Sequence, residues 1–209
     1  MPGEGGVLMC TFPRGVVYNA LHRGYGVYFD ECWAGSEHLL AAMMMWQELV
    51  DKALAVERTI DDRYTALKRN PWDEVECGSH YARSMASYGV FIAACGFDYD
   101  GPDGTLSFAP RLTPSNFRAA FTAAQGWGSF AQRYAGKRFR AEIDMAYGTL
   151  RLKLLGLVPP HLLRLHRVHV AMDGRPISAP ATLVHGVLSV HFQPALILTA
   201  GQHLTVQFR

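Results

Sequence analysis

Charge imbalance, paired cysteines and long apolar runs are what this chain has least of. Lys and Arg number 20 against 18 Asp and Glu, a formal net charge of +2 over 209 residues. A balance so close to neutral, with no basic block, leaves no electrostatic footprint for nucleic acid, and none is expected as a partner. No stretch approaches the ~20 apolar residues of a transmembrane segment. The longest, Leu39 to Trp46, has the length of a core helix. The opening MPGEGGVLMCTF lacks a basic region followed by an apolar one, so no leader is read there and the cytoplasm is the default location. The four cysteines, Cys10, Cys32, Cys77 and Cys95, form no CxxC pair. A zinc site needs closely spaced ligand pairs, so these read as reduced, buried thiols. His161, His166 and His169 sit beside Arg164 and Arg167 with no carboxylate nearby and read as surface residues. No metal or cofactor is expected. Internal repeats and low-complexity tracts are also missing.

What is present is apolar material, 49% of the chain, in two halves of different period. The division falls near Cys95 to Gly104: before it the period is helical, after it close to two. Two regions are therefore expected, residues 1–96 and 97–209.

Residues 1–29, rich in Gly and aromatics, read as loop. Asp30 is a plausible N-cap for a helix from Glu31 to about Gln47. That helix is apolar on nearly every side, with Met43, Met44 and Met45 filling core gaps. A second helix is expected from about Val50 to Leu67. Val50, Ala53, Leu54, Glu57, Ile60 and Tyr64 follow its inner face; Asp51, Lys52, Arg58, Asp62 and Arg63 cover the other side. A loop at Asn70–Gly78 precedes a third helix, capped by Ser79 and nearly free of charge to Cys95. Enclosed, exposed, enclosed is the rhythm of stacked helical hairpins. The expected fold is thus α+β: a partial α/α toroid, about three helices of an incomplete (α/α)6 barrel, followed by an antiparallel β region. Standing alone, the apolar helices would expose large surfaces, so a missing upstream segment or a partner chain is expected to cover them.

In the second half, Phe97–Tyr99 and Thr105–Phe108 flank the turn sequence DGPDG and predict a hairpin. TPSNFRAAFTAA carries a helix-start signal, Thr113 before Pro114. Strands are predicted at Trp127–Tyr134, Arg138–Ala146, Thr149–Leu155, Arg167–Met172, Thr182–Phe192 and His203–Phe208. Leu150, Leu152 and Leu154 alternate with Arg151 and Lys153, as on a sheet with one solvated face.

The densest chemistry lies in NPWDEVECGSHYAR, Asn70 to Arg83. Arg83 is a lone cation in an otherwise apolar helix, with His80 and Ser87 at helical spacing. A guanidinium near a core must be paired or must line a polar cavity. Asp73, Glu74 and Glu76 lie just upstream. One reading is a structural ion pair. The other is the polar wall of a carbohydrate pocket. There a carboxylate accepting beside a guanidinium donating grips paired sugar hydroxyls, and Trp72 offers an apolar face to the ring.

NPWDEVECGSHYARSMAS, followed by GFDYDGP, FAPRLTP and FTAAQGWGSF, closely resembles the C-terminal part of glycoside hydrolase family 116, the non-lysosomal glucosylceramidase and bile-acid β-glucosidase relatives. Upstream, DECWAG and GEGGVLMCTFPRG resemble further family segments, so the resemblance runs from about residue 3 to 133. It implies an N-terminal β-sandwich joined to an α/α toroid, and a retaining β-glucosidase whose two carboxylates lie ~5–5.5 Å apart. It implies that Glu74 and Arg83 bind non-reacting glucose hydroxyls. Trp72 and His80 complete the substrate-binding set, and Glu31, Trp33 and Glu76 support it from behind. Ser79 departs from the Asp common in the family, though Ser also caps a helix. The family's nucleophile and acid/base lie upstream of the Gly-rich loop, so no catalytic residue is assigned here. Glu31 matches a motif that is not the catalytic one. The implied substrate is a β-glucoside or glucosylated lipid, handled by the parent enzyme. A non-catalytic carbohydrate-binding module, or a structural or interaction module, is the competing reading.

Overall fold

The computed structural model describes residues 5–9, 32–68, 84–160 and 167–208. The chain divides into two compact units, Met1–Ala93 and Ala94–Arg209. The division falls inside a helix.

In the first unit, α1 (Ala34–Trp46) buries Ala34, Glu37, His38, Ala41, Ala42 and Met45, a stripe at helical spacing. A short link with Glu48 at φ 61° reverses the chain into α2 (Val50–Arg63), which buries Ala53, Ile60 and Arg63. A 3-10 turn, Ser84–Ala86, leads into α3 (Ser87–Cys95). The buried positions are mostly alanine, which lets helices approach closely: a Cβ added at Gly89 would meet that of Ala42 at 3.8 Å. Met45 and Ile60 are buried with the alanines, but most of the large apolar side chains point elsewhere. Leu39, Met43, Trp46, Leu49, Leu54, Met85, Tyr88 and Phe91 are exposed. Arg63, expected on the polar outer side of its helix, is buried, and Leu54, expected inside, is not.

Among its described residues the second unit contains ten strands, β1 (Asp98–Asp100), β2 (Thr105–Phe108), β3 (Asn116–Ala123), β4 (Gly126–Ala135), β5 (Arg138–Leu157), β6 (His169–Met172), β7 (Arg175–Ile177), β8 (Ala181–Val184), β9 (Val187–Thr199) and β10 (His203–Phe208). The 20-residue β5 is the spine. Its first half pairs with β4 and β10, which carry β3 and β6–β7. Its second half pairs with β9 and, in parallel, with β2. Gly148, at φ +70°, lies between the halves. A Cβ there would come within 2.0 Å of the Gln125 carbonyl oxygen, so only glycine fits. Side chains from both halves meet in one core. Phe108 of β2 stacks on Phe130 of β4 at 3.9 Å and 2°, with Phe121 edge-on to Phe108 at 5.8 Å.

This architecture corrects the expected fold. Strands dominate and form one ten-stranded mixed sheet, in which β2 runs parallel to β5. It is not an α/α toroid followed by an antiparallel region. Among the described residues there are three α-helices, and most of their large apolar side chains stand in solvent instead of passing from hairpin to hairpin around a ring. The predicted helix after Thr113 is β3. Phe117, Ala119 and Phe121 alternate there with exposed Arg118, Ala120 and Thr122, so period two and β-forming side chains overrode the Thr-Pro signal. The strands predicted at 138–146 and 149–155 are one strand, because Gly148 bends the chain without ending its pairing. The strand predicted at 182–192 is two. His185 and Gly186, at φ 48° and 83°, make the two-residue hairpin turn between β8 and β9. The DG turn at 173–174 and the AG turn at 200–201 formed as expected, with Asp173 at φ 50°, Gly174 at 75° and Gly201 at 84°. Among the described residues no helix is long and apolar enough to cross a membrane.

Candidate functional site

Of the residues expected around a sugar, Glu31, Trp72, Glu74, Glu76, His80 and Arg83 lie outside the described residues. Trp33 is described. It is the N-cap of α1, half-buried, and its carbonyl accepts from the Glu37 amide at 3.0 Å. As the N-cap, Trp33 is placed by the order of α1.

That order rests on a buried ion pair that the sequence reading missed. Glu37 is 1% exposed and Arg63 5%. Arg63 Nη2 donates to Glu37 Oε2 and Nη1 to Oε1 at 3.1 Å. Both also hold the Gly-rich segment: the Val7 amide donates to Glu37 Oε1 at 2.8 Å, and Arg63 Nη1 to the Gly5 carbonyl at 2.8 Å. Gly6 has room for no side chain, since a Cβ there would lie 2.5 Å from Cys32 Sγ and 2.6 Å from Arg63 Nη1. Burial opposes the Arg63 charge, but the hydrogen bond and charge of Glu37 more than offset it and raise its pKa. Cys32, beside the pair, has its thiol pKa pushed up by burial and then by Glu37, with Arg63 opposing. A second polar contact, His38 Nδ1 to Glu57 Oε1 at 2.8 Å, ties α1 to α2 again. With so many of its bonds made inside the protein, the pair is a clasp on the Gly-rich segment. The signal was in the sequence: Glu37 shares a helical stripe with four alanines or methionines, and a buried carboxylate requires a cation.

The second unit carries two further groupings of polar or aromatic side chains. His203 Nδ1 bonds Asp144 Oδ1, its Nε2 lies 2.9 Å from Thr205 Oγ1, and Glu142 Oε1 is 3.8 Å from that nitrogen. The order Asp–His–hydroxyl is that of a nucleophilic triad, but the surroundings are wrong for one. Thr205 is 7% exposed, and β10 is paired on both sides, with Glu142 and Ala171 opposite Thr205. Its backbone donors are therefore committed to the ladder and none is left for an oxyanion. The second grouping is aromatic. Trp127 and Tyr147, cross-strand partners at a bulge, stack at 4.3 Å and 16°, and both are half exposed or more. The sequence reading assigned no solvent-facing aromatic row; the pair becomes visible only once the bulge after Trp127 turns Tyr147 to the same face.

No family model matches the chain, and no curated protein matches it. Solved structures similar to it include three glycoside hydrolases. A GH127 β-L-arabinofuranosidase from Geobacillus stearothermophilus T6 has TM-score 0.36 and 14% identity over 61% of this chain. An α-L-rhamnosidase from Dictyoglumus thermophilum has TM-score 0.35 and 12% identity over 63%. A glycoside hydrolase has TM-score 0.33 and 13% identity over 68%. The chain spans 18%, 14% and 22% of those chains respectively.

Proposed function

We propose that this chain is the C-terminal part of a retaining β-glucosidase of the glucosylceramidase type, glycoside hydrolase family 116. Its share of the site is a clamp on glucose hydroxyls made by Glu74 and Arg83, with Trp72 against the ring and His80 beside them. Glu31, Trp33 and Glu76 hold that wall in place. The observation that carries the proposal is the run Asn70–Arg83, in which Glu74 stands nine residues before Arg83, the only Lys or Arg between Arg69 and Arg111. A carboxylate accepts from one sugar hydroxyl while the guanidinium donates to the next, and neither group needs to react. The nucleophile and acid/base belong to upstream segments, so this chain holds the sugar and does not cut the bond. The exposed Leu39, Met43 and Trp46 support the reading, because an apolar face of that size fits the rest of an enzyme or a partner chain.

The test is kinetic. In a protein joining this chain to its upstream catalytic segments, Glu74→Gln and Arg83→Met each lower kcat/KM for 4-nitrophenyl β-glucoside by about 10–100-fold, the worth of a charge-assisted hydrogen bond. The 209-residue chain alone gives no turnover. Hydrolysis by the chain alone that survives Glu74→Gln and is lost with Glu31→Gln would reverse the roles assigned here.

The stacked Trp127–Tyr147 pair favours a second reading, a non-catalytic carbohydrate-binding module. The rings lie face to face, and an outward face of the exposed stack offers an apolar surface to a pyranose. Binding of glucose oligosaccharides by the full chain, lost with Trp127→Ala and kept with Glu74→Gln, would select it.

A further inference from the structure

A row of cations crosses the second unit that the sugar clamp leaves unused. Arg133 stands opposite Arg140, Arg140 opposite Gln207, and Gln207 opposite His169, across β4, β5, β10 and β6. Partners in a ladder share a face, as do positions two apart on a strand, so Arg138 joins the row from β5. Arg167, just ahead of β6, lines the same cleft, whose volume is about 700 Å³. That lies within the ~300–1,000 Å³ of small-ligand sites. Among the described residues no carboxylate lines the cleft. Arg140 bonds Glu142, while among the described residues Arg133, Arg138 and Arg167 have no acidic partner.

Like charges placed opposite each other across a strand pair are destabilising. Glu142 offsets Arg140, but Arg133 and Arg138, diagonal to each other across β4 and β5, are left to repel at exposed positions, a small cost to the free chain. An anion in the cleft removes the cost. We infer that this cleft is an oxyanion site for a phosphate-type group, a phosphomonoester or diphosphate. Guanidinium forks match carboxylate and phosphate alike, so charge decides between them. A lone carboxylate brings one negative charge to three unpaired guanidiniums, whereas a phosphomonoester brings ~1.5–2 and three acceptor oxygens. Gln207, between Arg140 and His169, adds an amide donor. The group could arrive on a soluble ester or on a lipid headgroup.

The experiment is calorimetric titration of the full chain with inorganic pyrophosphate, repeated on Arg133→Gln/Arg138→Gln and on Arg151→Gln, an exposed arginine outside the cleft. Saturable binding is expected, at least about tenfold weaker in the double variant, as losing two charge-assisted bonds requires, and unchanged in Arg151→Gln. The double variant should melt no lower than the parent, which shows that it folds. Flotation with phosphatidylcholine vesicles, with and without phosphatidic acid, separates the sources. Retention on phosphatidic acid that pyrophosphate competes away identifies a headgroup; pyrophosphate binding without retention identifies a soluble ester. No saturable binding, equal weakening by Arg151→Gln, or vesicle retention indifferent to pyrophosphate overturns the inference.

Discussion

The two units bury opposite kinds of side chain. The β unit encloses Phe108, Phe130, Phe139, Phe208 and a set of leucines at under 2% exposure or close to it, with Gln132 and Thr205 as its buried polar residues. The helical unit encloses mainly alanines together with Glu37, His38 and Arg63, and leaves Leu39, Met43 and Trp46 outside. Non-directional burial stabilises the first, roughly in proportion to the apolar area hidden. Pairing geometry holds the second, where an ion pair adds little net stability yet makes one arrangement far better than its neighbours. A small-residue core with a charged clasp suits a scaffold that must place a loop. An aromatic core suits a body that must persist without help.

The sharpest way to break this contrast is to open a cavity in the β unit. Phe130→Ala removes a fully buried ring stacked on Phe108 and also met by Phe117 at 6.2 Å. Its cost is about 3–5 kcal/mol, read as a fall in the urea midpoint of strand circular dichroism. A loss under about 1 kcal/mol would mean that the two halves of β5 are not packed on each other through these rings. In the helical unit the equivalent cut is Glu37→Ala. Removing one partner of a buried pair leaves a charge uncompensated and costs ~3–5 kcal/mol. The low end is expected, about 3 kcal/mol, because Arg63 keeps the Gly5 carbonyl. Adding Arg63→Met should recover part of that loss. Non-additivity is the signature of a clasp, and simple addition would show that the two side chains act separately.

These differences also explain what could be read in advance. Regular alternation exposed most of the strands, and turn chemistry exposed DGPDG, DG and AG, because both signals are local. The presence of α1 and α2 and the start of α2 at Val50 were legible for the same reason, but α1 starts at Ala34 and not at Glu31, and α2 ends at Arg63, short of Leu67. What failed was long-range or conditional. Nothing local distinguishes a glycine that bends a strand from one that ends it: Gly148 does the first because the Gln125 carbonyl occupies the space a side chain would need. The parallel pairing of β2 with β5 depends on residues about 50 apart. The toroid was inferred from helix rhythm and family resemblance, neither of which measures how much of the chain is sheet. At the candidate site, residue types singled out the run Asn70–Arg83, and the family resemblance chose Glu74 and Arg83 within it. The clasp between Glu37 and Arg63 escaped because Arg63 was placed by helix face alone, without asking what a buried Glu37 required.

The thiols carry the comparison into pH. Burial alone pushes the Cys95 thiol from its ordinary 9.0 up to about 11. A group whose folded pKa is raised contributes stability that is complete below the unfolded value and is lost as pH rises through the folded one. Stability should therefore fall between pH 9.0 and about 11 by the release of one proton in the unfolded state, then level off. Cys95→Ala should flatten that window, measured as unfolding midpoint against pH. Cys32 is raised through burial and Glu37 while Arg63 opposes. Losing Arg63 should push it further up and slow its alkylation, whereas Cys95 should not respond.

The smallest effect is the most telling about what the helical unit is for. Leu39 and Met43 are 62% and 58% exposed, on the side of α1 away from its buried stripe. Little apolar area is left to lose there, and glutamine has nearly the helix propensity of leucine and methionine. Leu39→Gln/Met43→Gln should therefore change stability by no more than about 0.5 kcal/mol. The same change in the β core would cost several times that. A cost above about 1 kcal/mol would mean that the chain itself covers this face. It would remove the exposed surface as an argument for upstream segments. A neutral double variant that no longer associates with those segments in pull-down would instead place the missing packing partner of Leu39 and Met43 on them. It would also explain why a unit with so small a core keeps its largest apolar side chains outside.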